Sequence, residues 1–304
     1  MEKISKEDVQ VNKKSFQIND KRILKRVRLN NISSFVFSLS TVFSFLVLLI
    51  LAYRIIKQSV GWLDFEFLRG VLSIFPEKAG IYGAILGSIG LILVVVPVTL
   101  FLGVATAVYL EEYAKKGRLR SFLQINISNL ASVPSVIFGL LGLTVFSRFF
   151  NLGSSILAGG LTLSLLVLPI IVVSSQEAIR GVPGFLKEAS YAMGANKWVT
   201  LRKVVLPVAM PGILTGSILS MSRALGETAP LVVLGIPTLI LRAPQSLMSD
   251  FTALPIQIYY WTLDTVLTKE YANLAAATIV VLLIILFTLN SVAIIIRNKF
   301  QRKF

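Results

Sequence analysis

The chain has 304 residues, 55% of them hydrophobic and only 15% charged, with a formal net charge of +15 and neither cysteine nor histidine. That is the composition of an integral membrane protein. It excludes disulfides, haem ligation by histidine, the usual zinc sites and a histidine general base, and nothing else in it recommends an enzyme active site.

Residues 29–53, 79–110, 121–147, 149–176, 204–222 and 271–296 contain no Asp, Glu, Lys or Arg. Each run is long enough to cross a hydrocarbon core of about 30 Å as a helix. The expected fold is therefore an all-α integral membrane protein with six transmembrane helices, at about 32–56, 81–110, 125–149, 152–175, 207–228 and 271–296. Two further charge-free runs, 228–241 and 251–263, are too short to span and read as re-entrant or surface pieces. No cleavable signal peptide is expected, because the first apolar run is too long and follows a polar stretch of 30 residues.

With six spans and both termini on one side, the loops on that side hold 22 of the 30 Lys and Arg residues. The positive-inside rule places both termini in the cytoplasm. The basic excess is thus a topology signal, pointing to the lipid bilayer as partner and not to nucleic acid. The anionic inner leaflet could also hold the N-terminal tail.

Residues 1–30 are polar and basic and read as a mobile tail or a short surface helix; residues 31–304 read as one transmembrane domain. The loop after span one carries Trp62, Phe65, Phe67 and Phe75, suited to anchor at a membrane interface. Span two contains Gly83 and Gly87 at a spacing that permits close helix approach, and Pro97, which should kink it. Span three carries Ser132, Pro134 and Ser135 in mid-membrane. A proline there frees a backbone carbonyl, and broken helices of this kind often line substrate pathways, although a tolerated kink would look the same.

Between spans four and five lies a polar elbow, residues 180–206. Phe185, Ala189, Ala192 and Met193 fall on one face of a short helix. Gly194 can end that helix, Asn196 can cap the next, and Pro207 suits the first turn of a further one.

Span five carries Arg223 and Glu227. Arg223 is 16 residues beyond Pro207, about 24 Å of helix, so it lies well inside the bilayer, where an arginine costs roughly 2.5–3.5 kcal/mol on insertion scales. Glu227 is one turn away on the same face. Two roles are open: a structural ion pair that neutralises itself, or a guanidinium offered to an oxyanion and oriented by the carboxylate. Residues 231–270 read as external loops and interfacial helices, with Phe251, Tyr259, Tyr260 and Trp261 suited to meeting an external partner. Arg297, Lys299, Arg302 and Lys303 anchor the end of span six.

The elbow sequence Glu188-Ala189-Ser190, three residues, Gly194, nine residues, Val204-Val205-Leu206-Pro207 resembles the EAA loop of ABC-transporter permeases. Ser190 stands where the motif has its second alanine, and Val204 where it has isoleucine. The stretches Pro134–Gly142, Ser222–Pro230 and Phe251–Tyr259 resemble segments of phosphate-importer permeases of the PstA type, the second containing the R-x-x-G-E-T-A-P signature. The resemblance covers roughly residues 80–296. It implies a type I importer permease of the MetI-like architecture. Arg223, Glu227, Thr228, Ser135 and Ser132 would lie on the substrate pathway, and Glu188, Ala189, Ser190, Gly194, Leu206 and Pro207 would couple to the ATPase. It further implies a second permease of the PstC type, two copies of a PstB-type ATP-binding subunit and an extracytoplasmic PstS-type phosphate-binding protein. No cofactor is expected in this chain: it has no G-x-x-x-x-G-K-[ST] loop, so ATP and Mg are expected in the partner ATPase. The site of action would be the plasma or inner membrane. Permeation of molybdate, tungstate or sulfate, or ion-coupled secondary transport, are the alternatives.

Overall fold

A computed structural model describes residues 20–237, 240 and 242–300. Of the tail read over residues 1–30, residues 1–19 lie outside the described residues, as do the anchors Arg302 and Lys303, while residues 20–30 are not a separate tail but the start of the first long helix. The chain forms two compact units, one ending at Arg54 and one starting at Ile55. The first consists, over its described residues, of the helix α1 (Asp20–Ser59), which runs on into the start of the second.

After α1 the chain forms a short helix α2 (Phe65–Arg69), a 3₁₀ turn (Pro76–Lys78) and the long helix α3 (Tyr82–Val108), which closes in a π-helical turn (Tyr109–Tyr113). Then come α4 (Arg118–Leu130), α5 (Ser135–Leu141) with a π-helical continuation (Gly142–Phe149), and α6 (Ile156–Arg180). The elbow is α7 (Gly184–Ala192) and α8 (Lys197–Thr200), followed by a π-helical turn (Leu201–Val205) and α9 (Leu206–Gly226). The chain ends in α10 (Ala229–Val233), α11 (Leu254–Asp264) and α12 (Glu270–Phe300). Among the described residues five helical stretches are long and apolar enough to cross a membrane, and a sixth crossing results if α4 and α5 with its continuation count as one bent span. Besides helices, the described residues form a single antiparallel bridge, Ser155–Asp250.

The expected span 125–149 is not one helix. It is interrupted at residues 131–134, and the two arms meet at 104°. Pro134 has no N–H to donate and disfavours helical backbone at Val133. Turn hydrogen bonds from the Ser132 and Val133 amides to Asn129 and Leu130 close the break, and the Ser132 hydroxyl also donates to the Asn129 carbonyl, at 2.7 Å.

Helices α3 and α6 pack closely, with glycines of each receiving side chains of the other. A Cβ on Gly90 would come within 3.0 Å of the Ile156 side chain, and one on Gly160 or Gly103 within 2.6 Å of Val94 or Ile171. Small residues at such crossings let helices approach where lipid gives no hydrophobic drive to association. The Gly83–Gly87 pair does not serve that crossing: Gly87 lies against the Thr252 carbonyl, where a Cβ would come within 1.9 Å, and a Cβ on Gly83 would meet the Ala243 Cα at 4.0 Å, an ordinary contact.

Helix α9 crosses α6 in the same manner, with Gly212 against Ala178 and Gly216 against Ser174. Antiparallel to α9 runs α12: the Ser222 hydroxyl donates to Asn290 Oδ1 at 2.8 Å, and Arg297 reaches the Thr215 hydroxyl at 3.5 Å.

The segment 251–261 departs from the expected interfacial reading. Phe251, Leu254, Ile256 and Trp261 are buried, the Leu254 amide donates to the Ser88 hydroxyl at 2.9 Å, and the Phe251 ring sits on Gly159. This segment plugs the interior between α3 and α6; of its four aromatics only Tyr259 is exposed. Its apolar side chains find glycine-made space inside, which withdraws more surface from water than an interfacial seat would. In the loop after α1, likewise, Phe67 is buried against Trp261 with ring centroids 6.1 Å apart, whereas Phe65 and Phe75 are exposed.

Candidate functional site

The two stretches singled out in the sequence, the elbow and the Arg223–Glu227 pair, lie at opposite ends of α9. At its C-terminal end Arg223 Nε donates to Glu227 Oε1 at 3.2 Å. The arginine side chain is 53% exposed and the glutamate 19%. Arg223 occupies the last turn of α9, where the unpaired carbonyls of the helix end favour a cation. The helix stops at Gly226, two residues short of the expected Thr228. Glu227 is extended, and its amide reaches back to the Ala224 carbonyl. Helix α10 then restarts at Ala229, with the Thr228 carbonyl accepting from the Leu231 and Val232 amides. The carboxylate therefore sits on an interruption between two helices, with its partner on the end of the first.

The stretch that carries Ser135 meets the stretch that carries this pair through one backbone contact. A Cβ on Gly139 of α5 would stand 2.8 Å from both the Cα and the carbonyl oxygen of Pro230. Thus the Pro134–Gly142 stretch and the Arg223–Pro230 stretch meet where only a glycine fits. Ser135 is half-buried at the start of α5, and Ser132 is exposed in the break before it. Among the described residues no hydrogen bond joins either serine, or the Thr228 side chain, to Arg223 or Glu227.

At the other end of α9 lies the elbow. Helix α7 closes at Gly194 (φ +81°), with the Ala195 amide bonded to the Ser190 carbonyl and the Gly194 amide to that of Tyr191. This is the Schellman closure that a left-handed residue permits. Asn196 caps α8 by accepting from the Val199 amide at 2.9 Å. The Ser190 hydroxyl meets that of Thr200 at 2.9 Å, so the residue that departs from the EAA pattern pins α7 to α8. Glu188 and Ala189 face outward, as do Phe185 and Met193, 67% and 88% exposed. The elbow presents an apolar face with a carboxylate on it.

Leu206 and Pro207 open α9, with the proline in its first turn as expected. The backbone is helical without a break from Lys197 to Gly226, so α9 continues directly from α8. The π-helical turn Leu201–Val205, closed by the Leu206 amide on the Leu201 carbonyl, widens the helix just before the proline. That extra residue absorbs the clash a proline ring makes with the preceding turn. Leu206 and Pro207 are half-buried in this helix, Leu206 against the buried cluster that includes Val205 and Ala209.

Sequence reasoning passed over Glu111 and Glu112. Glu111 accepts from Arg120 at 3.1 Å, Arg180 at 2.6 Å and Gln176 at 2.9 Å, and Glu112 pairs with Lys187 of α7. Adjacent carboxylates within loops that otherwise carry basic residues were the signal that could have found them.

A family model described as "Binding-protein-dependent transport system inner membrane component" matches residues 99–304. The "Phosphate transport system permease protein PstA 1" of Mycobacterium tuberculosis is 41% identical over 176 residues, 57% of this chain and 56% of that one. The "Probable ABC transporter permease protein YqgI" of Bacillus subtilis is 36% identical over 178 residues, 59% of this chain and 60% of that one. The matched segment thus covers less than two thirds of either relative. Among solved structures, the MetNI methionine ABC transporter in an inward-facing form aligns with a TM-score of 0.58 at 18% identity, over 73% of this chain and 96% of that one. A bacterial ABC transporter involved in alginate import aligns at 0.62 and 15% identity, over 92% of this chain and 100% of that one. These structures share the fold. With the family model covering more than half of its length, this chain belongs to the family of binding-protein-dependent transport system inner membrane components, as a multi-pass permease.

Proposed function

We propose that this chain is one of the two permease subunits of an ATP-driven importer of inorganic phosphate, supplying half of the translocation pathway. The observation that carries the reading is the Arg223–Glu227 pair at the interruption after α9. The guanidinium is half exposed, so its remaining donors are free to meet an oxyanion from outside the chain. Glu227 orients the arginine between substrates, and a passing phosphate exchanges with the carboxylate. Thr228, Ser135 and Ser132 contribute hydroxyls along the same route. Similarity to the PstA 1 protein supports phosphate as the substrate.

In this proposal the elbow docks on an ATP-binding subunit through Glu188, Ala189, Ser190 and Gly194, seated by Leu206 and Pro207. Two PstB-type ATP-binding subunits hold the ATP and Mg, a PstC-type permease completes the pathway, and a PstS-type binding protein delivers phosphate from outside. Closure of the ATPases moves the elbows and alternates access to the pathway. The chain lies in the plasma or inner membrane with both termini cytoplasmic, in keeping with its basic loops.

Uptake of labelled phosphate in cells lacking other phosphate importers, with this chain and its partners supplied, tests the reading. Sulfate, molybdate and arsenate serve as competitors, with an Arg223→Lys variant alongside. Uptake blocked by arsenate alone and lost in the variant is the expected result. Block by sulfate or molybdate reassigns the substrate to another tetrahedral oxyanion. Uptake unchanged in the variant reduces Arg223 to half of a structural pair.

A further inference from the structure

Three consecutive residues at the cytoplasmic end of α3 hold three different parts of the chain. Glu111 gathers Arg120 before α4 is a turn old, and Arg180 and Gln176 from the last turns of α6. Glu112 takes Lys187 from the middle of α7. The Tyr113 ring lies beneath the Lys197 ammonium at the start of α8, 4.9 Å from it. All three residues belong to the π-helical turn that closes α3, and such turns are rare and frequent at functional sites.

The carboxylates are well covered: the side chains of Glu111 and Glu112 are 8% and 10% exposed, and that of Lys187 is 25% exposed. An exposed pair would be screened and nearly neutral. Here removal of one partner strands a charge that water reaches poorly. On α7, Lys187 and Glu188 are neighbours about 100° apart around the helix. Lys187 turns inward to Glu112, and Glu188 turns outward with Phe185 and Met193. Among the described residues, helix α7 thus has one ionic fastening on its inner side and an exposed outer face.

We propose that the Glu112–Lys187 pair, braced by the Glu111 cluster, lashes the coupling helix to the ends of α3 and α6. The elbow and the glycine-packed α3–α6 pair then move as one body when an ATPase moves the elbow. Glu112 and Lys187 are positioning residues for coupling. This inference rests on the reading of the elbow as the ATPase docking site.

The chain has no cysteine, so Lys116→Cys and Tyr191→Cys, both at exposed positions outside the residues assigned to docking, take two spin labels uniquely. Their separation is measured in the permease alone and in the reconstituted importer with and without ATP. Phosphate uptake per ATP hydrolysed is measured in the same reconstituted material. With the lash intact, one narrow distance is expected in all three states. In Glu112→Gln and in Lys187→Gln the distance broadens and uptake per ATP falls about tenfold, within the usual range of coupling free energies, while hydrolysis continues. The reversed pair, Glu112→Lys with Lys187→Glu, restores both. A wild-type distance that changes on ATP binding overturns the inference, as does a single variant that keeps both the narrow distance and the coupling. A reversed pair that fails to assemble or to couple overturns it as well. A chain that binds no ATP-binding subunit overturns the elbow reading instead, and the distance in the permease alone still decides whether the lash exists.

Discussion

The hydroxyl of Ser190 lies 2.9 Å from that of Thr200, across the turn that joins α7 to α8. Thr200 is 1% exposed, so its hydroxyl has little access to water. Ser190→Ala would bring the elbow to the family's own pattern, yet here it leaves a covered hydroxyl short of a partner. The expected cost is about 1 kcal/mol of stability, read as a lower midpoint of thermal unfolding in detergent. Adding Thr200→Val should recover most of it, since removing both partners leaves nothing unsatisfied. A double variant no more stable than Ser190→Ala would mean that the pair does not hold the elbow.

Gly139→Ala puts a methyl group 2.8 Å from the Pro230 backbone, which has no flexible side chain to move aside. Overpacking of this kind costs roughly 1–3 kcal/mol. The variant should unfold at a lower temperature and transport less, because the contact joins α5 to the helix that follows Glu227. Gly184→Ala, with nothing within 4 Å of the added methyl group, is the control and should behave as the unsubstituted protein.

Gly194 has open space around it but a φ of +81°. A β-branched residue there is strained whatever the room, at roughly 1–2 kcal/mol, whereas asparagine tolerates that backbone better. Gly194→Val should therefore weaken binding of the ATP-binding subunit more than Gly194→Asn does, measured by co-purification at matched expression. Equal binding in both would detach the Schellman closure from docking.

Met193→Asp tests the outer face of the elbow. The side chain is 88% exposed, so the substitution should leave thermal unfolding of the isolated chain unchanged. Loss of the ATP-binding subunit from the purified complex is expected, because a charge in the middle of an apolar contact is left unpaired on docking. Retained association would move the docking surface elsewhere.

Arg223→Ala removes the guanidinium and leaves Glu227 without its counter-ion. Phosphate uptake should fall at least about tenfold, since a hydrogen bond to a charged group is worth ~1.5–3 kcal/mol. Assembly with the partners should persist. Loss of assembly with uptake intact in the remaining complexes would assign the pair to structure alone.

The unbroken apolar helices, the elbow and the spacing of Arg223 and Glu227 were legible in the sequence because each depends on local information. A charge-free run is as long as a membrane is thick, gap lengths survive folding, and i,i+4 residues share a helix face wherever the helix goes. The bond between Arg223 and Glu227 needed no more than that. So did the Gly194 closure and the Asn196 cap, whose partners are within five residues.

Tertiary structure alone decided which partners meet across the chain. Glu111 finds Gln176 and Arg180, 65 and 69 residues away, and Glu112 finds Lys187, 75 residues away. No periodicity encodes such pairings; they exist because glycine-lined crossings bring α3 and α6 together and set the carboxylates beside the elbow. The same close packing takes Phe251 and Trp261 into the interior, although their composition suits an interface equally well. Pro134 announced a disturbance in the third apolar run, but the 104° between its arms depends on what each arm packs against. Hydrophobicity and local backbone chemistry determined what crosses the membrane and where helices stop; long-range packing determined what those helices hold in place.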